Sequence, residues 1–153
     1  MNTMFVLAGT DDIWEVVDRA ISLHEMNSEQ FDAGLGITTD DQAEILGMVS
    51  HVMSNPNEGG VLLHRDDKGE IAGMAVLRIH NSRGLITHLW VRQDFRNKGI
   101  GHALVLDSVN YLKSMGVYAV NAGVAERHNV MHNLLTKAGF RRITATYQFD
   151  WEK

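Results

Sequence analysis

The sequence predicts an α/β (α+β) fold, a mixed central sheet with helices on both faces, in the order β-α-α-β-β-β-α-β-α-β. Three observations carry this prediction. The apolar period changes repeatedly between helical and strand spacing. Two central strands are joined by a short polar turn, the pattern of an antiparallel hairpin. Later in the chain, apolar strands alternate with amphipathic helices, as in strand-to-helix units.

The elements follow in order. Met4 to Ala8 is short and apolar and reads as a strand. Thr10-Asp11-Asp12 offers a helix cap, and Ile13, Val16, Val17, Ala20, Ile21 and His24 recur at helical spacing, giving a helix from about Asp11 to Met26. Asn27 to Thr38 is polar and contains glycine, so it reads as a loop. Thr39-Asp40-Asp41 caps a second helix carrying Ala43, Ile45, Leu46, Val49, Val52 and Met53, which ends before Pro56. Val61-Leu62-Leu63-His64 is a strand, Asp66-Asp67-Lys68-Gly69 a turn, and Ile71 to Ile79 a longer strand. Asn81-Ser82-Arg83-Gly84 turns into the strand Leu85 to Val91. A helix from about Gly99 to Met115 follows and is stopped by Gly116. Val117 to Val124 is a strand, Asn129 to Ala138 a helix stopped by Gly139, and Phe140 to Trp151 alternates as a last strand. No repeat, low-complexity segment or linker interrupts the chain, so 1–153 reads as one domain.

Composition narrows the function classes. Apolar residues make up 44% and charged residues 22%, as in ordinary globular proteins. A net charge of −5 lacks the basic footprint of nucleic-acid binding. There is no cysteine, which excludes disulfides and thiolate chemistry. No apolar run approaches the ~20 residues of a membrane helix, and the N-terminus lacks a basic leader, so the expected compartment is the cytoplasm.

The informative stretch is Leu85 to Leu106, where an apolar strand enters a turn carrying Arg96, Asn97, Lys98, Gly99, Ile100 and Gly101 before a helix begins. The first amides of a helix lack intrahelical partners and sit at the positive end of its dipole. Glycines let an anion approach the backbone, and Arg96 and Lys98 add formal charge. A pyrophosphate suits such a turn. The Walker A pattern fails here, and so does the dinucleotide fingerprint, with Leu104 where a third glycine should stand.

Arg96, Gly99 and Gly101 do match the signature R/Q-x-x-G-x-G/A. With it, the chain resembles the GNAT N-acetyltransferase superfamily. The run V-R-Q-D-F-R-N-K-G-I-G is similar to that family's strand end, spacer and phosphate loop. Lys137 to Phe140 (K-A-G-F) resembles its last helix-to-strand junction, and Asp67 to Gly73 its second-to-third-strand hairpin. The resemblance implies acetyl-CoA as donor and transfer of the acetyl group from its thioester to an amine. It implies a pyrophosphate cradle at Arg96 to Gly101 with His102 beside it, and Asn129 as a further cofactor contact. It also implies backbone contacts from Leu89, Trp90 and Val91, where the family's fourth and fifth strands splay apart. Family members are often homodimers, although the sequence carries no interface signal of its own.

Two departures concern the acid and base. The family's frequent Glu or His, four residues before the valine ending the fourth strand, is Thr87 here. His88 is adjacent, although strand alternation points it to the opposite face, where it also reads as a partly buried sheet residue. His80, Glu126 and His128 are further candidate bases, since an unperturbed histidine pKa of about 6.5 suits the task. The family's Tyr acid falls on Leu135. Tyr118 and Tyr147 are stand-ins that read equally as packing residues. His128 and His132 share a helix face, but the zinc-protease pattern and a third ligand are missing, so no metal is expected. Leu104, Ser108, Tyr111 and Met115 form a core stripe, and Trp14, Trp90 and Trp151 read as packing residues. Glu25, Glu29 and Asp32 lie where the family walls its acceptor site, implying a cationic amine. The rival readings are an acyl-CoA-binding module without catalysis and a plain nucleotide-binding protein.

Overall fold

The computed structural model describes residues 6–7, 9–31, 39–96, 98–123 and 129–143. In chain order these form β1 (Val6–Leu7), α1 (Ile13–Phe31), α2 (Thr39–Ser54), β2 (Gly59–Arg65), β3 (Ile71–His80), β4 (Arg83–Val91), α3 (Ile100–Ser114), β5 (Val120–Ala122) and α4 (Asn129–Lys137). The strands lie side by side as β1-β2-β3-β4-β5. The first three pairings are antiparallel and β4–β5 is parallel, so the sheet is mixed as the sequence predicts.

Alternation along the strands sends side chains into two separate cores. On one face, Val16, Val17 and Ala20 of α1 and Ile45, Val49 and Val52 of α2 meet Val61, Leu63, Met74, Val76 and Trp90 of the sheet. On the other, Leu104, Val105 and Leu112 of α3 and Leu135 of α4 meet Leu62, Ala75, Leu77 and Ile86. Helices therefore cover both faces. Ser108, the buried polar residue of the α3 stripe, donates its hydroxyl to the Leu104 carbonyl at 2.7 Å, so its burial leaves no donor unpaired. No helix among the described residues is long and apolar enough to cross a membrane.

Several boundaries differ from the sequence expectation. α1 continues to Phe31 and takes in Asn27–Phe31, expected as loop. Asn27 and Ser28 have only modest helix penalties, Glu29 and Gln30 favour helix, and no glycine or proline interrupts before Gly34. The helix start is also later, since Thr10–Asp12 forms a 3-10 turn in which Asp12 Oδ2 accepts from the Gly9 amide at 3.0 Å. The turn before β4 is confined to Asn81 and Ser82, both at positive φ (51° and 60°), the primed geometry that suits a two-residue hairpin loop. Arg83 and Gly84 thus belong to β4. β5 is shorter than expected. Phe140–Ile143 are not in a strand, and the remainder of the expected last strand lies outside the described residues. Trp14 is a correction: it is 76% exposed on α1 and packs in neither core, whereas Trp90 is buried as expected. Trp151 lies outside the described residues.

Burial separates two substitutions that composition would rank the other way. Leu112 is fully buried, so Leu112→Ala is expected to lower unfolding free energy by about 2–5 kcal/mol. Trp14→Ala removes a larger side chain but is expected to stay within about 0.5 kcal/mol of wild type. Urea denaturation of the two variants checks both values.

Candidate active site

The site is built on β4, which does not pair equally on its two edges. β3 accompanies it along its whole length, from Arg83 opposite His80 to Val91 opposite Gly73. β5 pairs only with Gly84, Leu85 and Ile86. The next residue breaks the β3 register: Leu77 pairs with Ile86 and the adjacent Val76 with His88, leaving Thr87 as the extra residue of a β-bulge. Its hydroxyl donates to the Val76 carbonyl at 3.0 Å. Beyond the bulge, the edge Thr87–Val91 has no strand partner among the described residues.

A bulge inserts one residue into the alternation and so exchanges the faces. Ile86 sits in the α3/α4 core, while Trp90, of the same parity, sits in the α1/α2 core. His88 lies opposite Val76, which is in the α1/α2 core, and its ring is 4.9 Å from that of Trp90. Directly paired residues share a face, so His88 faces the α1/α2 side. This corrects the alternation argument for Thr87 and His88. Thr87, the expected base position, instead satisfies a backbone carbonyl in the bulge.

Beyond Val91 the chain makes a one-turn 3-10 helix (Gln93–Phe95) and enters the glycine turn. Gly99 is the N-cap of α3 at φ 80°, ψ 3°, the left-handed conformation that a side chain would strain. Among the described residues no side chain caps this helix start, and its first turn holds no carboxylate, which leaves the leading amides without a partner from the described side chains. Gly101 serves a different end from the one the sequence suggested. A Cβ there would lie 3.3 Å from Leu134 Cδ2 and 3.7 Å from Val91 Cγ2, so the missing side chain lets α3 pack close to α4 and β4. Arg96 folds back and donates from Nε to the Val91 carbonyl at 3.0 Å. Neither Arg96 nor Lys98 is in an ion pair among the described residues. Ile100 is buried under the turn and His102 is half-buried in the first turn of α3. Asn97 lies outside the described residues.

Sequence reading missed the charged cluster beside this turn. Arg92 donates from Nε and Nη2 to Asp94 (2.6 and 3.0 Å) and from Nη2 to Asp66 (2.9 Å), with Glu70 at 3.6 Å. Its guanidinium lies 4.9 Å from the Phe95 ring, and Lys98 Nζ lies 5.1 Å from the same ring. Arg92, Asp94, Asp66, Glu70 and Phe95, with Arg19, Asp67 and Lys68, line a cavity of about 490 Å³. The hydrogen bond to Asp94, then that to Asp66, raises the Arg92 pKa above the ordinary guanidinium range. The same bond with Arg92 holds Asp94 below the usual carboxylate range. Burial pushes Asp66 upward, but hydrogen bonds from Arg92 and from the Glu70 and Lys68 amides outweigh it and leave that carboxyl lowered. The only sequence signal was Arg92 two residues before Asp94. The Asp66 contact joins positions 26 apart and is set by strand register.

The other predicted residues divide sharply. His80 sits opposite Arg83, at the far end of β3. It is seven positions from Gly73, or roughly 23 Å from the Val91 end. Tyr118 is at that far end too, its hydroxyl accepting from Arg83 at 2.9 and 3.2 Å. Neither reaches the turn. Leu135 is core, so the position of the family's acid is a packing position. Glu25 and Glu29 lie on the last turns of α1, which passes the end of β2 at Glu15, bonded to Arg65 at 2.8 Å, and continues for more than four further turns, at about 3.6 residues each, to Phe31. Asn129 begins α4. Asp32, Glu126, His128 and Tyr147 lie outside the described residues. Among the described residues, no group of three or more His, Asp or Glu is placed to hold a metal.

Comparison with known proteins agrees with this fold. The sequence profile of the acetyltransferase (GNAT) family matches residues 18–140. The chain belongs to that family. Among curated proteins, the mycothiol acetyltransferase of Propionibacterium freudenreichii subsp. shermanii is 28% identical over 89 residues, covering 56% of this chain and 28% of that protein. The match thus spans under a third of that relative's length. A GNAT-family acetyltransferase from Staphylococcus aureus Mu50 superimposes with a TM-score of 0.74 at 19% identity, covering 92% of this chain and 85% of that one. AAC(6')-Iy, solved in complex with the bisubstrate analogue CoA-S-monomethyl-acetylneamine, superimposes at 0.70 with 11% identity, covering 98% of each chain.

The carboxylates Asp66, Asp94 and Glu15 all have folded pKa values below their unfolded ones. Between those values the folded state binds fewer protons, so stability rises with pH there and is lost as pH falls through the folded values. Melting temperature is expected to be flat near neutrality and to drop below about pH 4. Arg92→Met should flatten that acid limb, as a pH series of thermal melts would reveal.

Proposed function

We propose that this protein transfers the acetyl group of acetyl-CoA to a primary amine by direct attack. The observation that carries the reading is the end of the described β4–β5 pairing at Ile86, just before the Thr87 bulge, together with an α3 N-terminus that no described side chain caps. The chain's own groups fit the donor. Amides at the α3 start, with Arg96 and Lys98, suit a pyrophosphate. The edge from Thr87 to Val91, which has no strand partner among the described residues, suits an amide-bearing arm, and a backbone N–H of Leu89–Val91 suits the oxygen on which charge develops. The thioester supplies the activated acetyl carbon; the new C–N bond forms there as the C–S bond breaks and thiolate leaves.

The amine must reach that carbon unprotonated. Among the described candidates, His88 is the base this reading favours. It stands at the first position beyond the bulge, on the side covered by α1, whose last turns carry Glu25 and Glu29. Those carboxylates support a cationic acceptor, such as a polyamine, an amino sugar or a protein amine. With Leu135 at the usual acid position, the thiolate takes its proton from water. Asn97, Asn129, His102, Glu126, His128 and Asp32 remain assigned by family resemblance. A second reading, acyl-CoA binding without catalysis, draws support from Thr87 and Leu135, both engaged in structure.

Free CoA release from acetyl-CoA is expected with at least one member of a cationic amine panel. CoA binding without turnover on any amine would favour the second reading. His88→Gln is expected to lower kcat by about 10²-fold or more and to alter the acid limb of the pH–rate profile. An unchanged pH–rate profile would move the base elsewhere.

A further inference from the structure

We infer that Arg92 is a positioning residue for the anion-binding turn, acting through its planar fork. The inference rests on the reading of that turn as the coenzyme A site. Arg92 is the first residue after β4, and its amide still donates to the Ala72 carbonyl at 2.8 Å, so its backbone is anchored to β3. Its side chain then ties together two segments that share no ladder pairing. One is the β2–β3 turn, through Asp66. That carboxylate is itself held, because Oδ1 accepts the Lys68 and Glu70 amides, both at 2.9 Å. The other is the 3-10 turn Gln93–Phe95, through the bidentate contact with Asp94.

The clamp reaches the anion-binding groups by a short route. Asp94 and Phe95 directly precede Arg96. Phe95 is flanked by the cations of Arg92 and Lys98, and its ring meets His64 edge-on at 5.9 Å. Arg96 in turn grips the Val91 carbonyl. The backbone from Val91 to Arg96 is thereby held at its start, its middle and its end, and this held segment leads into the turn before α3. Arg92 is also neutralised by carboxylates, while Arg96 and Lys98 have none among the described residues. Its contribution to an anion is therefore geometric. A lysine would retain the charge but lose the two-pronged contact with Asp94 and the shared nitrogen to Asp66.

The test measures coenzyme A binding by calorimetry, amide exchange across residues 96–103 and melting temperature. It compares wild type with Arg92→Lys, Arg92→Met and Asp66→Asn. Each variant is expected to weaken binding by about tenfold to a hundredfold and to speed exchange in the turn. The KM for acetyl-CoA should rise, with kcat at saturating donor within about twofold of wild type. Arg92→Lys binding like wild type would overturn the inference, since charge alone would then suffice. A lower melting temperature with unchanged affinity and exchange would also overturn it. No binding of coenzyme A by wild type would overturn the cofactor reading and this role with it, whereas normal binding by wild type and variants alike would overturn this role alone.

Discussion

β4 has to satisfy one neighbour completely and the other only in part. Its β3 edge is paired from Arg83 to Val91 apart from the bulge at Thr87, while its β5 edge is engaged for three residues and then has no strand partner among the described residues. An open edge inside a covered sheet is costly, because backbone donors and acceptors left dry lose on the order of 1–3 kcal/mol each. The bulge directly follows the last described β4–β5 pair, and Thr87 closes the defect it creates on the β3 side by donating to the Val76 carbonyl. A valine would fill a similar volume but leave that carbonyl without its donor.

The same inserted residue sorts the side chains. Without it, Ile86, His88 and Trp90 would share one face. With it, Ile86 joins the α3/α4 core and Trp90 the α1/α2 core. Both cores depend on this, since each holds a large β4 side chain that a one-residue slip would exchange. His88 reaches the α1/α2 side for the same reason.

Charge in the turn is apportioned by partner as much as by sign. Arg92, Arg96 and Lys98 look interchangeable in the sequence, but Arg92 is bound by carboxylates and built into the scaffold. Arg96 is held by a carbonyl, which fixes its position without cancelling its charge. The two glycines differ in kind as well. Gly99 is required by its own dihedral angles, and Gly101 by Leu134 and Val91 beside it. Local chemistry predicts the first; only packing across elements explains the second.

Much of the fold was legible because its signals are local. Apolar spacing marked every described helix and strand, and Pro56 and the turns Asp66–Gly69 and Asn81–Ser82 punctuated them. The motif at Arg96, Gly99 and Gly101, with its surroundings, was enough to suggest the acetyltransferase (GNAT) family to which the chain belongs. Register was not legible. It placed Thr87, where the family carries its base, in a bulge and put His88 on the α1/α2 side. It also carried His80 to the far end of the sheet and brought Asp66 to Arg92. The sequence by itself determined which elements form and which turn can hold an anion, since both depend on neighbours along the chain. Tertiary structure alone decided which side chains those elements present together, because strand pairing joins residues that no spacing in the sequence relates.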